Sequence, residues 1–241
     1  MFFDFNICGS NFNNNLIHSK EAISYGWDHI SFNYNHDNYE TYLNDLDLLN
    51  EKISNKDFSI DLRCEISHNN INHIQKAVRT FRDKSRCISV LGGDLKINRE
   101  TCENIKVDIL SRPYIKRKDC GLNHVLAKAA YENNVAIELC FNDILTSYLS
   151  YRSKIISYFK DIINLHRKYE FPIILTSGAS SIFQMRNPID LSYFFNEIGL
   201  SEDEITSGFY KTPKNILKLN NNRKNLILKG VKKIEGFRDE T

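Results

Sequence analysis

The chain has 241 residues, of which 41% are hydrophobic and 26% charged, a balance that is typical of a folded globular protein and excludes a disordered one. No apolar run reaches the 18 or so residues that span a membrane, and the first residues lack the basic segment of a signal peptide, so we expect neither feature. The net charge of +2 is unevenly distributed, with 12 basic and 16 acidic residues in positions 1–111 and 20 basic and 14 acidic residues in positions 112–241.

Seven short apolar runs are typical of β-strands, and helical patterns separate them along the whole chain. The predicted strands are residues 2–7, 29–33, 58–66, 86–91, 107–110, 135–140 and 171–176. Strands that alternate with helices form parallel sheets, and a chain of this length suits one barrel. We therefore predict an α/β fold, namely a distorted TIM-like (β/α) barrel of about seven parallel strands with surrounding helices, in a single domain over residues 1–241.

Amphipathic patterns predict helices between these strands. Apolar stripes run through residues 71–81 and 122–130, and the longest helix is predicted over residues 146–169. After the seventh strand, Asn187 and Pro188 have the sequence of a helix start, and Gly199 ends that helix. No eighth strand of comparable quality follows, and residues from roughly 220 to 241 are predicted to form a mobile basic tail.

The cysteines and histidines show no metal-binding pattern. The six cysteines include no Cys-x-x-Cys pair, which predicts reduced, mostly buried thiols in a cytoplasmic protein. None of the seven histidines belongs to a His-x-His or His-Glu-x-x-His sequence, and the cysteines lack the spacing of zinc ligands. We therefore predict neither metal ligands nor catalytic residues in this chain.

Basic residues concentrate in the second half of the chain. Eight of them, and no acidic residue, lie between Ile205 and Ile234. A second group, consisting of Arg112, Lys116, Arg117 and Lys118, falls in a predicted loop. One-sided charge of this kind indicates a polyanionic partner, although a solvated surface is the alternative interpretation.

Several segments then resemble, in the same order, a known family: the archaeal ribonuclease P protein component 3, which shares its fold with a eukaryotic subunit of ribonuclease P and MRP. The most specific part of this resemblance consists of three successive segments. They are the strand that ends before Arg112-Pro113, Arg-Lys-Asp at residues 117–119, and Gly-Leu-Asn-His-Val-Leu-Ala-Lys at residues 121–128. The remaining matching segments are residues 135–138, 168–169, 175–179 and 185–188.

The resemblance implies an RNA-binding accessory protein subunit of ribonuclease P, the ribonucleoprotein that removes the 5′ leader from precursor tRNA. It implies a holoenzyme endoribonuclease whose RNA component uses Mg²⁺ and performs the cleavage. From this chain alone we expect no activity and no bound cofactor. The implied partners are ribonuclease P RNA, precursor tRNA and other protein subunits, of which a small ferredoxin-like subunit is expected to bind directly.

The same resemblance, together with the charge pattern, selects residues for RNA binding. Lysine and arginine side chains neutralise backbone phosphates, and we expect such contacts from Arg99, Arg112, Arg117, Lys118, Lys128, Arg152, Lys168 and Arg186. Asp108 and His124 are expected to order the loop that carries Arg117.

Two enzymatic alternatives stay open from the residues. One is a metal-dependent phosphoesterase of the polymerase-and-histidinol-phosphatase barrel type, although the position of its His-x-His pair reads Asp4-Phe5-Asn6 in this chain. The other is a barrel enzyme that binds a sugar phosphate through the small residues 176–181, whose backbone N–H groups would hold the phosphate.

Overall fold

Seven parallel strands form the centre of the computed structural model, which describes residues 1–53, 55–221 and 223, together with the backbone of 226–228 and 231–232. Each strand pairs with the next one along the chain, in the order β1 to β7. All seven predicted strands are confirmed. Their bounds are β1 Phe3–Cys8, β2 His29–Asn35, β3 Ser59–Ile66, β4 Ile88–Leu91, β5 Ile109–Ser111, β6 Ala136–Cys140 and β7 Ile173–Thr176.

Helices surround the sheet, as predicted for a TIM-like barrel. Their bounds are α1 Phe12–Ser24, α2 Leu43–Lys52, α3 Ile71–Phe81, α4 Leu95–Glu103, α5 His124–Asn133, α6 Phe141–Leu145, α7 Leu149–Tyr169, α8 Pro188–Glu197, α9 Glu202–Thr206 and α10 Thr212–Asn221. The predicted start of α8 is confirmed, since Asn187 caps it with its side chain and Pro188 is its first residue. The predicted start of the longest helix is wrong by three residues, because Tyr148 has an extended backbone and separates α6 from α7.

The barrel is nearly closed. One isolated parallel bridge joins Ile7 on β1 to Ala179, which lies three residues beyond the end of β7. Beside it, a π-helical turn, Ser207–Lys211, lies against both strands. Its Gly208 packs so close to Leu175 that an added Cβ would lie 2.6 Å from the leucine side chain. This turn therefore covers the position where an eighth strand would complete the barrel.

Helix α10 covers the amino end of the barrel. Its Ile216 is buried with Phe5, Ile109 and Ile174, which lie on β1, β5 and β7. The predicted basic tail, residues 220–241, begins inside this helix and otherwise lies largely outside the described residues. The short antiparallel pair Leu226–Leu228 and Val231–Lys232 belongs to a separate sheet.

The cysteines match their prediction, since five of the six are buried and all are free thiols. Within the part of the chain that the structure describes, no helix is long and apolar enough to cross a bilayer.

Candidate functional site

The interior of the barrel at its carboxyl end contains a buried ion pair. The guanidinium of Arg63 on β3 donates to both carboxylate oxygens of Glu138 on β6, each at 2.8 Å, and both side chains are fully buried. The carboxylate also accepts hydrogen bonds from Ser111, Thr176 and Asn6. We call this group the interior cluster.

The interior cluster neutralises its own charge. Burial by itself would raise the pKa of Glu138, but the charge and hydrogen bonds of Arg63 bring it down to about 2. Within the described residues, no group of three or more His, Cys, Asp or Glu side chains could hold a metal ion. At the end of the barrel where barrel enzymes bind substrate, this protein therefore places an internal ion pair.

Asp4, on β1, lies beside the interior cluster. One of its carboxylate oxygens accepts from the backbone N–H groups of Asn6 and Ser177, and the other has no hydrogen-bond partner. Burial raises the pKa of this carboxyl to about 6, against the hydrogen bonds that lower it. The charged form of Asp4 is therefore poorly solvated in the folded protein.

Residues 176–181 do not form the phosphate-binding loop considered as an alternative. The N–H of Ser177 donates to Asp4, that of Ala179 to the Ser177 hydroxyl, and that of Ser180 to Gln184. These three donors are engaged within the chain, so the structure does not favour the anion site considered as an alternative.

A cationic loop follows β5 on the outside of the carboxyl end. We call residues 112–121 the rim loop. Its backbone turns sharply, since Arg112 and Lys116 have φ values of 47° and 57°. Gly121 has a φ of 76°, and an added Cβ would collide with the carbonyl of Pro113. The rim loop thus has one compact conformation that presents several basic side chains.

Asn98, on α4, fastens the rim loop. Its fully buried amide donates to the carbonyl oxygens of Pro113 and Gly121, each at 2.9 Å, and accepts from the N–H of Gly93. The sequence analysis did not identify Asn98. The sequence signal that could have identified it is its place next to Ile97, on the buried face of an amphipathic helix.

Arg117 is held by neighbours within the rim loop. Its guanidinium forms two hydrogen bonds with Asp119, at 2.6 and 2.8 Å, and its side chain is 19% exposed. The Asp119 carboxylate raises the pKa of Arg117, and the guanidinium in turn lowers the pKa of Asp119. The backbone carbonyl of Arg117 accepts from the hydroxyl of Tyr158 on α7.

Arg112 and Lys118, both on the rim loop, differ in burial. Arg112 is partly buried over the mouth of the barrel and lies 3.4 Å from Asp143, while its Nε has no partner. Lys118 is exposed to solvent. Arg152 is close by on α7, where its guanidinium donates to the carbonyl oxygens of Ile144 and Ser147.

Arg99 and Lys128 lie on the two helices that flank the rim loop. Both are exposed, and Arg99 forms an ion pair with Glu103 one turn along α4. Helices α4 and α5 pack against each other. The structure therefore places six of the eight predicted cations on the rim loop or on helices that contact or directly follow it: Arg99, Arg112, Arg117, Lys118, Lys128 and Arg152.

Lys168 and Arg186 lie elsewhere. Lys168 is at the carboxyl-terminal end of α7, over the ring of Tyr169. Because this helix runs back along the barrel, Lys168 lies near the amino ends of the strands. Arg186 precedes α8, where it donates to the carbonyl oxygens of Phe183 and Met185, and its own carbonyl accepts from the Trp27 indole.

The predicted role of Asp108 in ordering the rim loop is wrong. Asp108 precedes β5, at the opposite end of the strand, where it accepts from the guanidinium of Arg82 at 2.7 Å and from the N–H of Ile88. His124 is exposed at the first turn of α5, with no hydrogen bond to the loop among the described residues. Asn98 does the ordering that these two residues were expected to do.

The chain is similar to known proteins over most of its length. The model of a family described as RNase P subunit p30 matches residues 1–225. Ribonuclease P protein component 3 of Methanothermobacter thermautotrophicus is 38% identical over 231 residues, which cover 96% of this chain and 94% of that protein. The protein of the same name from Methanococcus maripaludis is 34% identical and covers 93% of this chain and 97% of its own length.

Solved structures with this fold include two of interest. A chain in the cryo-EM structure of archaeal ribonuclease P with mature tRNA matches with a TM-score of 0.80 and 26% identity, over 98% of this chain and 100% of that one. The zinc-containing histidinol phosphate phosphatase of Lactococcus lactis matches with a TM-score of 0.53 and 11% identity, over 91% of this chain and 93% of its own. The second likeness concerns the fold alone.

Proposed function

Because the chain belongs to the RNase P subunit p30 family, we propose that it acts in ribonuclease P as an RNA-binding accessory subunit that leaves bond cleavage to the RNA component. Ribonuclease P is an endoribonuclease holoenzyme, and the chain is one of its protein subunits. The finer proposal concerns how this subunit contributes, namely by neutralising phosphates of folded RNA through the rim loop and its flanking helices.

One observation carries this proposal: the cations at the carboxyl end are divided between the inside and the outside of the barrel. Arg63 is buried in an ion pair with Glu138, whereas Lys116 and Lys118 are exposed on the rim loop. Exposed lysines and arginines on one surface are the electrostatic requirement for binding an RNA backbone. The ion pair of Arg63 with Glu138, and the lack of a metal-holding group of side chains among the described residues, favour this role over that of a metal-dependent phosphoesterase.

Partners follow from the same proposal. The related chain of known structure was solved in archaeal ribonuclease P with mature tRNA, which supports ribonuclease P RNA and precursor tRNA as partners of this chain. We further propose direct contact with a small ferredoxin-like protein subunit, Mg²⁺ bound by the RNA component and not by this chain, and a cytoplasmic location. Neutralised phosphates would lower the Mg²⁺ concentration that the folded RNA needs.

Reconstitution tests the proposed function. Cleavage of precursor tRNA by the RNA and its protein subunits should require less Mg²⁺ when this chain is present, and the isolated chain should cleave nothing. Affinity of the chain for ribonuclease P RNA should fall steeply between roughly 50 and 200 mM salt, because phosphate contacts release counterions. A salt dependence near zero, or hydrolysis by the chain without RNA, would contradict the proposal.

A further inference from the structure

A pocket opens between the rim loop and the corner that joins α6 to α7. Its volume is about 480 Å³, which lies in the range of pockets that hold small ligands. The rim loop contributes Ile115 and Lys116 to its wall, and the corner contributes Thr146, Ser147, Tyr148 and Tyr151. Lys116 belongs to the proposed phosphate-binding surface, but the eight residues predicted from the sequence to bind RNA are absent from the wall, so phosphate contacts do not account for its tyrosines.

The corner exposes large apolar groups in a strained conformation. Tyr148 is 81% exposed and the adjoining Leu149 is 90% exposed. Leu149 has a φ of 42°, a left-handed conformation that is unfavourable for a residue with a side chain of this size. Within the described part of the chain, neither the Tyr148 nor the Tyr151 side chain forms a hydrogen bond or packs against another aromatic ring. A strained backbone next to exposed aromatic rings that have no partner within the described protein is typical of a binding site.

The charge around the pocket selects the class of ligand. Lys116 lines it, Lys118 and Arg117 follow on the rim loop, and the exposed Arg152 and Lys154 lie in the first two turns of α7. The acidic residues of the pocket wall and of the rim loop, Asp143 and Asp119, both have partners. Asp143, in the pocket wall, accepts from the hydroxyl of Tyr114 and pairs with Arg112, while Asp119 pairs with Arg117. Open aromatic faces beside lysines that form no ion pair with the described residues fit a ligand that has both a flat apolar face and an anionic group.

We propose that this pocket binds an unpaired nucleobase of an RNA strand, which stacks on Tyr148 and Tyr151 while its phosphates lie beside Lys116 and Arg152. The proposal rests on the proposed function, because it takes RNA as the partner. A base-paired helix hides the faces of its bases, so the pocket selects a loop, a bulge or a single-stranded junction of the RNA. Stacking on aromatic side chains is tolerant of sequence, since every base has a π-face. The rim loop therefore binds phosphates, and the corner next to it recognises single-stranded character.

The test uses the full-length chain, ribonuclease P RNA and four proteins: wild type, Tyr148→Ala/Tyr151→Ala, Tyr148→Phe/Tyr151→Phe and the control Tyr193→Ala, which removes a 69% exposed tyrosine from α8. We expect the double alanine variant to bind the RNA about tenfold more weakly or worse, with an unchanged dependence on salt concentration, because a stacking contact is lost and no cation is. The double phenylalanine variant and the control should bind like wild type.

Chemical probing of the same complexes identifies the ligand. Dimethyl sulfate should modify one or a few unpaired bases less when the wild-type chain is bound, and this protection should disappear with the double alanine variant alone. Unchanged affinity and unchanged protection in that variant would overturn the pocket proposal while the salt dependence of wild type still supports RNA binding. Loss of binding to another protein subunit, with RNA binding intact, would assign the corner to a protein partner and overturn it too. Absence of any RNA binding by wild type would overturn both proposals.

Discussion

The carboxyl end of the barrel holds charged side chains in two places, the interior cluster and the rim loop. In the interior cluster, Arg63 and Glu138 satisfy each other at zero exposure. On the rim loop, Arg117 is half-buried and paired with the exposed Asp119, and Lys116 and Lys118 are exposed to solvent. The position of a charged side chain at the carboxyl end of a barrel therefore does not by itself decide its function. A charge acts on a partner only where the fold leaves it accessible.

The two places also differ in how they would respond to substitution. A buried charge that loses its partner destabilises the fold, because it stays desolvated. An exposed cation contributes little to stability, and its loss lowers the affinity for the partner instead. Four substitutions test this division, from the largest expected effect to the smallest.

Arg63→Met should cause the largest loss of stability, about 3–5 kcal/mol in the free energy of unfolding, because Glu138 would be left buried and unpaired. Urea unfolding followed by circular dichroism measures it. The variant Arg63→Met/Glu138→Gln removes both charges and should recover part of this loss. If the double variant is no more stable than Arg63→Met, the interior cluster is not held together by its ion pair.

Asp4→Asn should change how stability depends on pH. The pKa of Asp4 is raised to about 6 in the folded protein, so its contribution to stability is fully present below about pH 4 and is lost as the pH rises through 6. Relative to Asp4→Asn, wild type should therefore lose up to about 3 kcal/mol of unfolding free energy between pH 4 and pH 7. A constant difference between the two proteins over this range would show that Asp4 is not desolvated as the structure indicates.

Arg117→Ala should weaken binding to ribonuclease P RNA by roughly three- to tenfold and reduce the dependence of the logarithm of affinity on that of salt by about one unit. The melting temperature should change little, because Asp119, the partner of Arg117, is 61% exposed and keeps its hydration when the ion pair is lost. Arg79→Ala, which removes an exposed arginine from α3, is the matched control and should leave affinity unchanged. Early unfolding of Arg117→Ala with intact affinity per folded molecule would make its role structural.

Lys168→Ala should have the smallest effect, less than about twofold on RNA affinity, if the RNA contacts are limited to the surroundings of the rim loop. Lys168 was predicted to contact RNA, and in the structure it lies at the carboxyl-terminal end of α7, away from the rim loop. A loss as large as that of Arg117→Ala would extend the RNA-binding surface to the amino end of the barrel, since a phosphate contact there would contribute in the same way.

Much of the fold could be predicted because local patterns report on local structure. Each strand is a short apolar run, and the capping sequence Asn187-Pro188 begins a helix by its own chemistry. The break at Tyr148 was missed, because amphipathic periodicity continues across it. The role of Asp108 was assigned from its place in a motif, and the side chain in fact binds Arg82 at the other end of the strand.

The sequence by itself determined the alternation of strands and helices, the abundance of basic residues after position 111 and the family resemblance, because each of these depends on residues that are near one another along the chain. Only the tertiary structure decided which charges are available. Arg63 and Glu138 lie on strands β3 and β6 and meet across the barrel interior, and Asn98 reaches the rim loop from another element. Pairing, burial and exposure depend on such distant contacts, and they separate the cations that hold the barrel together from those that remain accessible at its surface.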